Sequence, residues 1–180
     1  TPFRLTDKMI PGYWGHAATW LGNQQELIEL RLWDTPIIQD YQQHIQNQKL
    51  VVEALRDGAK MNTLNHFLNI DDLVILRQKD LGWQDKKRII ELTLRQIGKP
   101  YDFNYDVETT DKIVCSQLVY LAYTHIEWPT DNIAGRYTIS PDNIALKALK
   151  GGELEVILLY IGGQLFGGDK YDFMHQLIQE

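Results

Sequence analysis

The presence of a single cysteine, Cys115, in a chain of 180 residues is the first constraint on the fold: no disulfide can close within the chain and no multi-cysteine zinc site can form. A packed apolar core must therefore hold the chain, and its 44% apolar residues are enough to build one. The same composition excludes a disordered chain. The longest apolar stretch, LEVILLYIGG from Leu154 to Gly163, falls far short of the roughly 20 residues a membrane-spanning helix needs, so no integral membrane segment is expected. Acidic residues outnumber basic ones by 24 to 18, for a net charge of −6. That balance offers no positive field to gather nucleic acid, and the short run Lys86-Lys87-Arg88 reads as a solvated helix face. The five histidines show no paired metal-ligand spacing, so neither a metal nor a cofactor is expected.

No internal repeat, low-complexity block or Gly/Ser/Pro linker divides the chain. A single domain over residues 1–180 is expected, ending in a short tail from about residue 164, and nothing near Thr1 reads as a targeting peptide. His16 to Leu21 reads as a short, largely buried strand, because neither alternating face is clearly polar. Gln24 to Trp33 is ambiguous, and Ile37 to Lys49, rich in Gln, reads as an exposed helix or a mobile excursion. Leu50 to Leu55 is a strand that closes at Asp57-Gly58 and pairs with Ala59 to Met61 in a hairpin. Thr63 can cap a short helix, and Leu73 to Leu76 is another β-rich run. Apolar residues at helical spacing predict a helix from Trp83 to Ile97 and a second from Ile113 to Ile126. Ser140-Pro141-Asp142 opens another helix, to Leu149, and Leu154 to Ile161 is the last strand. The sum is a mixed α+β chain with several short strands and about four helices.

Three residues are unusual in that setting. Cys115 lies in the first turn of its helix, where the positive end of the helix dipole favours a thiolate. Leu118 and Val119, on the same stripe, equally suit a buried structural thiol. His16 opens a strand of small and apolar residues, where an imidazole needs a polar partner. It is read either as a satisfied structural histidine or as a base. The other histidines are poorer partners: His125 is about 15 Å along the same helix, His44 and His175 lie in polar segments, and His66 sits in a short surface helix. Glu53, in the middle of LVVEAL, has apolar neighbours on both faces, so its carboxylate must be paired or hydrogen-bonded. A salt bridge, an edge strand that reaches water, or a role in orienting an imidazole would each satisfy it. Taken together, thiol, imidazole and carboxylate are the parts of a Cys-His-acid site.

GHAATWLG, VVEALRDG, GKPYDF and DKIVCSQLVYLAY occur in the order and setting of a known family. The chain resembles the circularly permuted papain-like cysteine hydrolases of the NlpC superfamily, closest to the YiiX/YebB-like branch and related to the lecithin retinol acyltransferase group. Ordinary members run cysteine, histidine, polar residue along the chain, whereas here the order is His16, Glu53, Cys115. The resemblance implies a permuted papain-like fold, a small antiparallel sheet or barrel packed against the helix that carries the cysteine. It also implies Cys115 as nucleophile, His16 as general base, Glu53 as the group that orients the imidazole, and Tyr101 near the nucleophile, helping to bind an oxyanion.

The chain departs from its relatives at several positions. Gln117 stands where relatives often carry Glu, and Val114-Cys115-Ser116-Gln117 replaces the Asn-Cys-Glu-His of the acyltransferases. Glu53 stands where those carry histidine, and no Gly-Asp strand precedes His16. The implied activity is hydrolysis of an amide, ester or thioester bond of a small acyl, peptide or lipid substrate. A lipid acyltransferase or phospholipase using the same site, with Trp14, Trp20 and Trp33 lining an apolar groove, is the alternative. A non-catalytic peptide- or lipid-binding domain is the third reading. GRYTISPDN, residues 135–143, is placed as a border of the cleft with no substrate contact assigned to it.

Overall fold

The computed structural model describes residues 12–103, 108, 110–133 and 135–179. An extended entry segment leads into β1 (Ala18–Trp20), which pairs antiparallel with β2 farther along the chain, Ala18 opposite Glu53. Between them lie α1 (Gln24–Glu29), α2 (Pro36–Gln39) and α3 (Gln42–Gln46). Asn23 and Glu26 close a reciprocal capping box on α1. β2 (Lys49–Leu55) and β3 (Gly58–Thr63) form the expected hairpin, in sheet order β1-β2-β3. Gly58 turns the corner at φ +109°, and a Cβ there would lie 2.7 Å from the Lys99 carbonyl. Only glycine allows that approach.

Thr63 caps α4 (Leu64–Phe67), accepting from the His66 N–H. β4 (Leu73–Gln78) follows, then α5 (Trp83–Leu94). α6 (Cys115–Ala122) starts at the cysteine and packs against β1, β2, α5 and α7. A small hairpin of β5 (Asp131–Ile133) and β6 (Arg136–Thr138) precedes α7 (Pro141–Leu149), which has Pro at its first position and Ser140 as its cap. β7 (Leu154–Ile161) pairs with β4 and with β8 (Gln164–Leu165), and α8 (Lys170–Gln179) packs on β7 and α7.

The described sheets are small, antiparallel and open, so the architecture is mixed α+β, and the barrel alternative is not what forms. Other expectations change too. The described residues form eight helical segments rather than about four. The Gln-rich stretch is not an exposed excursion: Ile38 and Ile45 are 1% and 0% exposed in the core. One apolar residue per short helix is enough to anchor it when the loops are this short, although that is too sparse to register as periodicity. The cysteine helix ends at Ala122 rather than Ile126, and the first strand shrinks to three residues with His16 just ahead of it. The segment expected as a tail carries β8 and α8, and Met174 of α8 is fully buried in the core.

Two apolar clusters share α6. Leu118 points into one with Leu27, Ile45, Val52 and Leu94, while Val119, the next residue, points into the other with Trp14, Ile144 and Leu159. Each buried aliphatic side chain of this kind contributes about 1.5–3 kcal/mol. The helix is therefore held from both sides, and its first turn is fixed in space.

Candidate active site

The chain enters α6 through a pinned loop. Ile113 N–H donates to the Pro100 carbonyl at 3.0 Å and Asp102 N–H to the Ile113 carbonyl at 3.1 Å, so Tyr101 and Ile113 form a parallel bridge two residues before Cys115. Val114, at the N-cap, has no side-chain oxygen to offer the first-turn N–H groups. Two replacements fill that role. Gln117, fully buried, accepts the Val114 N–H on its side-chain oxygen at 3.3 Å, and the sulfur of Cys115 takes the N–H of Ser116 together with that of Ala17 from the entry segment.

His16 lies two residues before Ala18, the partner of Glu53, which puts it diagonally across from Glu53 on the same face of the sheet. Its Nε2 is 2.8 Å from Glu53 Oε2. The second carboxylate oxygen, Oε1, accepts from Asn62 Nδ2 at 2.7 Å, a diagonal neighbour on β3. Glu53 is 1% exposed, and the imidazole and the amide donor, one on each oxygen, answer the cost of burying it. Of the three ways to satisfy that carboxylate, the imidazole is the one the fold supplies; among the described residues no Lys or Arg pairs with it, and β2 is a central strand.

The same imidazole is hydrogen-bonded to the Cys115 thiol. Burial alone would push the thiol up, but the facing charge and hydrogen bond of His16, with the Ala17 and Ser116 N–H groups, outweigh it and hold Cys115 below its ordinary value. Burial would also lower His16, yet Cys115 and then Glu53 push it up to about 10. Glu53 itself sits low, because the bonds to His16 and Asn62 overcome its burial. These opposed shifts, the thiol down and the imidazole up, both favour the thiolate–imidazolium form of the pair.

His16, Glu53 and Cys115 are therefore brought together from three distant parts of the chain. Tyr101 is buried beside the strand leading to Cys115, its ring edge-on to Phe103 at 5.1 Å. His44, His125 and His175 are exposed and bonded elsewhere or away from this site, and His66 is exposed on α4. The three tryptophans do not form one groove: Trp14 is buried in the second cluster, Trp33 packs on the first, and Trp20 is 48% exposed. Asn62 was not singled out in the sequence. The tight turn would have given it away, because Leu55 opposite Gly58 sets a register that carries Asn62 to the diagonal of Glu53.

No group of three or more His, Cys, Asp or Glu side chains among the described residues is placed to hold a metal ion. Among the same residues, no helix is long and apolar enough to cross a membrane. A family model described as permuted papain-like amidase enzyme, YaeF/YiiX, C92 family, matches residues 1–159. No curated protein and no solved structure matches the chain.

Proposed function

The chain belongs to the permuted papain-like amidase family of the YaeF/YiiX type, C92, a family of cysteine hydrolases, and from that premise we propose that it cleaves an amide bond of a peptide-type substrate through an acyl-enzyme on Cys115. The observation that carries this reading is the hydrogen-bonded Cys115–His16 pair with its opposed pKa shifts. The order along the chain, His16 just ahead of β1 and Glu53 on β2 before Cys115 at the start of α6, supports the same reading for a permuted family.

In the proposed cycle the Cys115 thiolate attacks the carbonyl carbon, and the electron pair of the C=O bond moves to oxygen. Backbone N–H groups at the open start of α6, with Tyr101 alongside, stabilise that oxyanion. The oxyanion collapses as the C–N bond breaks, and the imidazolium of His16 gives its proton to the leaving nitrogen. A thioester on Cys115 and a neutral imidazole remain. Water, losing a proton to His16, then adds to the thioester carbonyl, and the thiolate leaves to release the carboxylic acid. Glu53, held in turn by Asn62, keeps the ring in its tautomer and stabilises its charge throughout. Ester and thioester substrates would follow the same steps with oxygen or sulfur as the leaving atom.

The test is intact-mass analysis of the full chain with acyl-peptide amides, esters, thioesters and phospholipid vesicles as parallel substrates. An acyl adduct on Cys115 that turns over with amide cleavage is expected. Amide hydrolysis that persists in Cys115→Ala would overturn the reading, and turnover of phospholipid alone would replace it with the lipid activity.

A further inference from the structure

Two buried hydrogen-bond systems meet at the start of α7, and the chemistry above uses neither. From the thiol side, Ser116, adjacent to Cys115 and 1% exposed, donates its hydroxyl to the Ile139 carbonyl at 2.6 Å. From the imidazole side, Asp142, 7% exposed, accepts the Tyr13 N–H on Oδ2 at 2.9 Å and the Trp14 N–H on Oδ1 at 2.7 Å. Trp14 is two residues before His16. Ile139 and Asp142 belong to one short turn that is itself locked. Ser140 accepts the Asn143 N–H, and the Asn143 side chain accepts from Ser140 in return. Gly12 completes the fit, because at φ +132° a Cβ would lie 2.2 Å from Asp142 Oδ2. The entry segment can reach that carboxylate only without a side chain at this position.

We propose that the 139–142 turn is a jig that sets the thiol and the imidazole relative to each other, with Asp142 and Ser116 as positioning residues. The inference rests on the Cys115–His16 reading given above. Its physical basis is that the two reacting groups sit on separate segments, and one rigid turn grips the side chain of Ser116 next to Cys115 and the backbone of Tyr13 and Trp14 just ahead of His16. A buried backbone N–H that loses its acceptor seeks another, and the segment shifts. A displacement of about 1 Å at the reacting atoms costs on the order of 100-fold in rate.

The test uses the full chain with Asp142→Ala, Asp142→Asn, Ser116→Ala and Gly12→Ala. The readouts are the pH dependence of Cys115 alkylation by iodoacetamide, kcat and KM on the amide substrate, and thermal unfolding. Asp142→Ala should move the alkylation midpoint up toward the free-thiol value of about 8.5 and lower kcat by about tenfold or more with KM little changed. Asp142→Asn, which keeps an acceptor for one of the two N–H groups, should fall between it and the wild type. Ser116→Ala should shift the midpoint in the same direction, and Gly12→Ala, by displacing the carboxylate, should reproduce Asp142→Ala. If Asp142→Ala does not fold, Asp142→Asn and Gly12→Ala carry the test. Folded variants that keep the wild-type midpoint and kcat, or that lose only thermal stability, overturn the jig. A wild-type thiol that titrates at its ordinary value would instead overturn the Cys115–His16 reading itself.

Discussion

Nε2 of His16 lies 2.8 Å from Oε2 of Glu53, a carboxylate almost wholly withdrawn from water in the central strand of its sheet. That contact orients the ring, and it helps keep the ring protonated against the pull of burial. Replacing Glu53 by Gln keeps the shape and removes the charge. His16 should then titrate lower, the thiolate should lose its partner, and kcat should fall by about 100-fold. Nuclear magnetic resonance titration of the His16 ring, with steady-state kinetics, checks both; an unmoved His16 titration would contradict the assignment.

The Cys115–His16 pair predicts a bell-shaped pH profile. Activity should rise as Cys115 loses its proton, below its ordinary value because the group is lowered, and fall through about 10 as His16 loses its own. Stability follows the same shifts. The raised His16 pKa contributes stability that is complete below 6.5 and lost as pH rises through about 10. The lowered Cys115 pKa contributes stability present above 9.0 and lost as pH falls through its folded value. Urea midpoints across this range should track the sum, and a thiol alkylation midpoint at the free value would count against it.

Removing His16 leaves the buried thiol without its counter-charge. In His16→Ala, burial should dominate and drive the Cys115 pKa above its ordinary value, so labelling by a thiol-directed acyl probe at neutral pH should nearly vanish. Labelling as fast as in the wild type would show that the imidazole does not activate the thiol.

Asn62 holds the far oxygen of Glu53 at 2.7 Å. Asn62→Ala should leave that buried oxygen without its donor, at a cost of about 1–3 kcal/mol. Asn62→Asp should do more, because a second carboxylate would face the first. Its stability should then rise as pH falls and one of the two takes a proton. Denaturant unfolding at acid and neutral pH measures both effects, and a pH-independent loss in Asn62→Asp would argue against the contact.

Ile45 distinguishes the packed from the solvated reading of the Gln-rich stretch. It is 0% exposed, so Ile45→Ala should destabilise by about 2–5 kcal/mol. An exposed excursion would register less than about 0.5 kcal/mol.

Local signals carried far in this chain. The Leu55–Gly58 turn, the Thr63 and Ser140 caps and the Leu154 strand are set by neighbouring residues and form where the pattern places them, and the Trp83 helix forms but ends at Leu94 rather than Ile97. Cys115 in a first helical turn was legible for the same reason. The short helices between β1 and β2 were not, since their apolar residues gain meaning only against the sheet they cover.

By itself the sequence determined the residue types available, one thiol with a histidine and a carboxylate in apolar strands, and the order in which they occur. Tertiary structure decided which of them meet. Antiparallel register put His16 and Asn62 on the two diagonals of Glu53, and packing of α6 against β1 carried Cys115 to His16. Side chains so far apart in sequence share a site only through the closure of a sheet and a core, which no local pattern encodes.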